Sequence, residues 1–587
     1  LTLSEVAVTS QKTHFVLFSC FTMAGAYFGA GCGSSTLEAP AGSGGSAGEV
    51  IDAGGESDAQ QVDDAGPPIV DDDFPLPLTG GLAPTPPMGW NSWNAYHCSV
   101  TAALVMRTAD VMVAAGLAEA GYQYINIDDC WAQTDRAADG SIQVAPNFPN
   151  GIKPVADYVH SKGFKLGIYS DRGTQTCGGR AGSQDHEEQD AQTYASWGVD
   201  YLKYDNCSAL LDKQTQYQKM RDALHAATAA TGRPIVFSIC AWAFDEWDLG
   251  TGELWRTTSD ITPTWASILS NASVNRRLAA YAAPNGWNDP DMLEVGSGAM
   301  STAEDRAHFS LWAMMAAPLI AGNDMTTLSS ETREILSNKE VIAVDQDGLG
   351  IQGVPVELTS STEVWFKPLN ESGARAVLLL NRGTAAADIT VHLSEIGLRA
   401  SHASVRDLWA HADAGFTADD YTATVEPHDV AMVKIIGSEL PAPTGSAYLS
   451  DLPWIYAASA SSIVTRDYRN ASTAPISING QTYDKGLGVY AGSMILYRLG
   501  QACTRFSADV GVDVQGKSGG SVIFRVLADG EMLFDSGLVT GGTPPQSISV
   551  DVTGKRRLKL VATNGGDGST NDYADWGNAK LDCAVGP

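Results

Sequence analysis

Positive charge is scarce in this chain of 587 residues: 37 Lys and Arg stand against 68 Asp and Glu, for a formal net charge of −31. No Lys or Arg occurs between Lys12 and Arg107, while Glu49, Asp52, Glu56, Asp58, Asp63, Asp64 and Asp71 to Asp73 accumulate there. A chain of this sign repels nucleic acid and anionic membrane surfaces and stays dispersed in solution. Metal-ligand spacing is missing too. No CxxC occurs, and neither His97 nor His186 has a second histidine at ligand spacing. Asp185-His186-Glu187-Glu188 reads as a solvated charged loop. No glycine-rich phosphate loop follows an apolar run, which argues against a nucleotide. No metal and no cofactor is therefore expected.

Long apolar runs are also absent. The stretch from Phe15 to Ala30 is too short for a comfortable membrane span and reads as a signal h-region. Gly29-Ala30-Gly31 before Cys32 resembles a bacterial lipobox, with Gly29 where Leu is usual. A lipid anchor through Cys32 and an ordinary cleaved signal both imply export, either secreted or anchored at the bacterial cell surface or periplasm. Residues 1–32 are thus read as a leader. Residues 33–82 hold Gly, Ala, Ser, Asp and Pro with few large apolar groups, which is the composition of a disordered acidic tether. The rest exceeds a single core of about 250–300 residues. Its patterning divides into 83–349, 350–436, a linker at 437–446, and 447–587.

From Pro84 to about Asp347, short apolar runs alternate with helical patterns, the mark of parallel β/α construction. Eight strand ends are proposed: Met88–Trp93, Tyr124–Asp129, Leu166–Asp171, Tyr201–Asp205, Ile235–Cys240, Leu254–Asp260, Gly286–Asp291 and Pro318–Asp324. Asp128, Asp129, Asp171, Asp205, Asp260, Asp289 and Asp291 all come just after an apolar run. Burying charge is costly unless it is paired or needed for chemistry. Acids and tryptophans gathered at one end of eight parallel strands describe a (β/α)8 TIM barrel whose mouth binds a neutral polyhydroxylated ligand. Lys203 and Asp205, two apart on one strand, share a face, and the lysine is expected to keep the carboxylate ionised.

Thr85-Pro86-Pro87-Met88-Gly89-Trp90-Asn91-Ser92-Trp93, Asn126-Ile127-Asp128-Asp129-Cys130, Lys203-Tyr204-Asp205-Asn206-Cys207, Arg256-Thr257-Thr258-Ser259-Asp260 and Gly286-Trp287-Asn288-Asp289-Pro290-Asp291 resemble, in order, the retaining α-galactosidases of glycoside hydrolase family 27. The resemblance implies Asp205 as nucleophile and Asp260 as acid/base. It places Asp128, Asp129, Lys203, Arg256 and Asp291 on sugar hydroxyls and Trp93 and Tyr169 along the ring. Trp242 is grouped with these substrate-binding residues. Disulfides Cys98–Cys130 and Cys177–Cys207 resemble those of the family, and adjacent strand ends suit them. Cys240 is left as a free thiol. In the family the fifth strand commonly ends Cys-Glu-Trp, and that Glu recognises the sugar's 2-hydroxyl. Here Ala241 stands in its place, Phe244 is bulky, and Asp245 or Glu246 is a candidate to supply the lost acid. An α-N-acetylgalactosaminidase and a β-L-arabinopyranosidase stay open as alternatives to an α-galactosidase acting on galactoside oligo- or polysaccharides. So does a catalytically inactive sugar-binding surface lipoprotein.

Residues 350–436 alternate with period two, as in an antiparallel β-sandwich. Beyond the linker, Tyr448–Trp454, Lys485–Ala491 and Ala574-Asp575-Trp576 resemble the NPCBM carbohydrate-binding module, implying a β jelly-roll. Cys503–Cys583 is a candidate third bridge. Tyr490, Tyr573 and Trp576 are candidate sugar contacts, and Trp454 is read as core. A chain ending near Ile436 is expected to keep activity on small substrates.

Overall fold

The computed structural model describes residues 81–460, 463–516 and 519–585. The leader, the Cys32 anchor and residues 33–80 of the tether lie outside the described residues.

Eight parallel strands form the first sheet: β1 (Met88–Asn91), β2 (Tyr124–Asn126), β3 (Lys165–Asp171), β4 (Tyr201–Asp205), β5 (Val236–Ile239), β6 (Leu254–Arg256), β7 (Trp287–Asp289) and β8 (Leu319–Ala321). Their order is β7-β6-β5-β4-β3-β2-β1-β8. The circle closes just past β7, where the Leu293 N–H donates to the Ile320 carbonyl and Gly322 N–H to the Leu293 carbonyl, each at 2.8 Å. The strands are buried almost throughout, as expected of a parallel sheet covered by helices.

The helices begin where the sequence supplies a cap. Thr101 caps Ala102–Ala114 by accepting the Leu104 N–H, and Asp212 caps Lys213–Thr231 by accepting that of Thr215. Ser301 and Glu304 form a reciprocal capping box at Thr302–Met314. The alternation expected from the sequence fails once. Between β5 and β6 the chain makes only the short 3-10 turn Glu246–Asp248. Phe244 and Trp247 there are packed inward, which mimics a helix's apolar spacing without its length. A second expectation fails at Asp185–Glu188. Glu187 is buried against Lys219 at 2.7 Å, and Asp190 is buried against Arg136. Asp185 and Glu188 are exposed as expected, but Glu187 is not, and the stretch leads into the helix Glu187–Trp197.

The antiparallel sandwich follows. Its main sheet centres on Ala374–Asn381, paired to Thr362–Pro368 and Val430–Ile436. One apolar core runs from the barrel into this sheet through Trp365, Leu378, Leu380 and Met432. The C-terminal region is a jelly-roll-like pair of sheets around Phe506, Phe524, Leu560 and Trp576. It is not held by a slack connection. Tyr456, Met494 and Leu496 from this region share a core with Val377, Val433 and Ala279. Glu439 pairs with Arg498 at 2.9 Å, and the Tyr456 hydroxyl donates to the Gln352 carbonyl at 2.8 Å.

Candidate active site

All ten residues singled out for substrate line one cavity of about 610 Å³ at the C-terminal ends of the strands. They are Trp93, Asp128, Asp129, Tyr169, Lys203, Asp205, Trp242, Arg256, Asp260 and Asp291. The parallel fold explains the gathering, because every strand delivers its last residue to the same end.

Asp205 ends β4 and is buried. Its Oδ2 accepts the Tyr169 hydroxyl at 2.9 Å and its Oδ1 the Asn206 N–H at 2.9 Å. Burial pushes its carboxyl above the usual range, and the Lys203 charge and these two hydrogen bonds pull it back. The lysine therefore acts in the expected direction, but burial is the larger effect. The Lys203 ammonium is committed to Asp128, donating to Oδ2 at 2.8 Å, where Asn91 Nδ2 also donates at 2.8 Å. Burial works against that ammonium. The Asp128 carboxylate outweighs it with help from Asp205 and holds the lysine charged.

Asp129 accepts the Thr176 hydroxyl and the backbone N–H groups of Cys130 and Gly178. A side chain at Gly178 would sit 2.9 Å from Asp129 Oδ2, so only glycine lets this backbone approach. Disulfides brace the same wall. Cys98–Cys130 ties the β1 loop to the residue after Asp129, and Cys177–Cys207 ties the β3 loop to the chain two residues past Asp205. Cys503–Cys583 closes the C-terminal region.

On the far wall, the Arg256 guanidinium bridges Asp260 at 2.8 Å and Asp291 at 2.9 Å. Burial is the largest influence and opposes its charge, but the carboxylates of Asp291, Asp289 and Asp260 together more than restore it. Asp260 stands on the rim with its side chain 81% exposed, open to solvent and to an incoming leaving group. Two acids of the series, Asp171 and Asp289, do not line the cavity. Asp171 is pinned behind it by the N–H groups of Gly173 and Cys207, and burial raises its carboxyl to about 7. Asp289 lies in the barrel interior below Arg256. Asp171, Cys177 and Cys207 come close enough to suggest a metal cluster, but both sulfurs are spent in the disulfide. Cys240 is a buried thiol, 3.8 Å from Arg256 Nη1, and burial pushes it far up, so it stays protonated.

Trp242 is 39% exposed on the cavity wall, while Ala241 is buried beside it. Phe244 turns away and packs on Tyr281, with ring centres 4.5 Å apart. Neither candidate for the missing 2-position acid reaches the cavity. Asp245 pairs with Lys213 at 2.5 Å, and Glu246 accepts the Tyr281 hydroxyl at 3.1 Å. Trp576 is corrected as well: it is fully buried in the C-terminal core against Phe524. Tyr490 and Tyr573 stay half-buried and edge-on to each other at the surface.

The sequence reading missed Asn94, His97, Glu294 and Thr327, which line the outer cavity, and gave Asp324 no role there. Glu294 is buried and accepts the amide of Asn94 and, at 2.7 Å, the Ser297 hydroxyl. Asn94 follows directly on the Thr85–Trp93 motif, Glu294 lies three residues past the Gly286–Asp291 motif, and Asp324 ends the eighth run, so proximity was their signal. A further feature had no signal. His97, Cys130, Trp242 and Asp291 all take left-handed backbone angles, with φ from 45° to 85°. Such strain costs about 1–3 kcal/mol per residue and tends to collect where function requires it.

Three family models match this chain in succession. Alpha galactosidase A covers residues 85–347, the alpha galactosidase C-terminal beta sandwich domain 359–435, and the NPCBM/NEW2 domain 445–582. An α-galactosidase of Oryza sativa subsp. japonica is 51% identical over 362 residues, spanning 60% of this chain and 85% of the rice protein. Alpha-galactosidase A of Cellvibrio japonicus is 46% identical over 381 residues, spanning 60% and 92%. The crystal structure of α-galactosidase I from Mortierella vinacea superposes with a TM-score of 0.57 at 34% identity, covering 62% of this chain and 100% of that one. Motif order, barrel geometry and relatives agree: the chain belongs to the melibiase family, the α-galactosidases of glycoside hydrolase family 27, and carries an NPCBM domain behind its β-sandwich.

Proposed function

We propose that the chain is a retaining exo-α-galactosidase in which Asp205 is the nucleophile and Asp260 the acid/base. The observation that carries this reading is one cavity with a buried, hydrogen-bonded carboxylate at the end of β4 and an exposed carboxylate on the opposite rim. Asp205 attacks the anomeric carbon as the glycosidic C–O bond breaks, and Asp260 gives its proton to the departing oxygen. Asp260 then takes a proton from water, the water oxygen bonds to the anomeric carbon, and the Asp205 ester is released. Galactose leaves with its configuration retained. Lys203, Asp128, Asp129 and Asp291 hold the sugar hydroxyls, while Trp93, Tyr169 and Trp242 bound the ring. Galactose is preferred to N-acetylgalactosamine because the α-galactosidases of rice and Cellvibrio are 51% and 46% identical to this chain over the residues they match.

The test is hydrolysis of p-nitrophenyl α-galactoside followed by proton NMR. The first product should be α-galactose, and β-galactose first would overturn the mechanism. Asp260→Ala should lose about 10²–10⁴-fold on galactosides with poor leaving groups and far less on acidic phenols, which need no protonation. Equal losses would remove Asp260 from the role. Export is supported by the Phe15–Ala30 stretch and by three disulfides, which persist in oxidising compartments. The finer reading, acylation at Cys32, is checked by the mass of the mature N-terminus.

A further inference from the structure

The β5–β6 connection is the one crossover of the barrel that lacks a full helix, and it carries the cavity wall. Trp242 faces the cavity from a left-handed backbone position. Two residues on, Phe244 packs at a tilt on Tyr281 and lies against Trp255. Two further, Glu246 accepts the Tyr281 hydroxyl. Tyr281 ends the 3-10 turn Arg276–Tyr281, whose Ala279 packs in a core shared with Tyr456 and Met494 of the C-terminal module. Tyr281 itself fits against Gly492 of that module. A side chain there would lie 2.9 Å from the tyrosine hydroxyl, at a φ of +81° that already favours glycine. Glu246 sits in the cleft between barrel and module, opposite Asn564, Gly565 and Arg525. Burial pushes its carboxyl up, while the Tyr281 hydroxyl, the Asn564 backbone and the Arg525 charge draw it down. A second path runs from the module to the barrel strands. Tyr456 bonds Gln352, Gln352 accepts from Asn288 on β7, and Asn288 accepts the Trp255 indole N–H next to Arg256.

We propose that the docked C-terminal module positions the β5–β6 loop, and through it the Trp242 wall of the cavity, so that the module is part of the catalytic unit. Glu246 and Tyr281 are positioning residues: they touch no substrate and act by fixing the loop. A chain ending near Ile436 would leave this loop without its outer support, against the expectation drawn from sequence. The inference rests on the α-galactosidase reading for its kinetic arm only.

The experiment uses the full chain. Glu246→Ala removes the latch from the barrel side. Arg525→Glu, at a partly exposed module residue, puts a second carboxylate beside it. Both should raise KM for p-nitrophenyl α-galactoside about five- to tenfold with kcat within about twofold, the scale of one lost hydrogen bond. Glu246→Gln, which keeps an oxygen for Tyr281, should restore most of the loss. Hydrogen–deuterium exchange should quicken in residues 241–248 of both disrupting variants and stay unchanged in β4. Parental KM and parental exchange in the folded variants would overturn the proposal. If the parent itself fails to hydrolyse α-galactosides, the functional reading falls and the exchange comparison still decides the brace. If one variant fails to fold, the other decides.

Discussion

The barrel mouth and the C-terminal module are both rich in acids and aromatics, yet those residues do different things in the two places. At the mouth, Asp128, Asp129, Asp205 and Asp291 are buried but open onto one cavity, each with hydrogen-bond donors. In the module, Trp576 is swallowed by the core, and Asp575 is buried beneath the surface with Asp513 as its neighbour. The difference comes from strand direction. Parallel strands bring all their C-terminal ends to one rim, so a polar residue after an apolar run points at the site. Antiparallel strands send alternate residues to opposite faces and their ends to opposite rims, so the same residue types carry no common address.

The sharpest way to break this comparison is Asp205→Asn. It should lower kcat by roughly 10⁴-fold or more, because the covalent step is lost. Its thermal midpoint at pH 7 should equal or exceed the parent's, because a buried carboxylate whose ionisation burial opposes is replaced by a neutral isostere. A variant that is inactive because it is unfolded would mean that Asp205 is structural.

The module gives the opposite pattern. Trp576→Ala should destabilise it by about 3–5 kcal/mol, the usual range for an aromatic removed from a core, as read from its denaturation midpoint. Tyr490→Ala should cost about 1 kcal/mol or less and instead weaken retention on immobilised galactoside polymer. Equal destabilisation with unchanged retention would move the sugar face elsewhere.

A smaller effect separates stability from catalysis by pH. Asp248, in the β5–β6 connection, has its carboxyl raised by burial to about 8 from an ordinary 3.8. A raised folded-state value means that its share of stability is fully present below pH 3.8 and is lost as pH rises toward 8. Asp248→Asn should therefore flatten the fall of the thermal midpoint between about pH 4 and 8 relative to the parent. A parallel fall in both proteins would show that Asp248 is ionised in the folded state.

How much of this was legible beforehand follows from the same geometry. The eight barrel strands could be found because each is a short apolar run with a polar end, and the ten cavity residues because they sit at or just past those ends. The β5–β6 connection was not legible because Phe244 and Trp247 pack on Tyr281 and Tyr217, contacts made across the fold. Glu187 looked solvated because its partner, Lys219, is distant in sequence. Left-handed backbone at Trp242 and Asp291 leaves no trace in composition. The docking of the module could not be seen either, since Gly492 and Tyr281 are unremarkable until they meet.

The central claim is that Asp205 carries the glycosyl group. A slow 2-fluoro galactosyl substrate would trap the intermediate, and peptide mass spectrometry would locate it. The account predicts a single label on the peptide containing Tyr201–Asn206, at Asp205. A label on Asp260, on Asp291 or on any other carboxylate would contradict it.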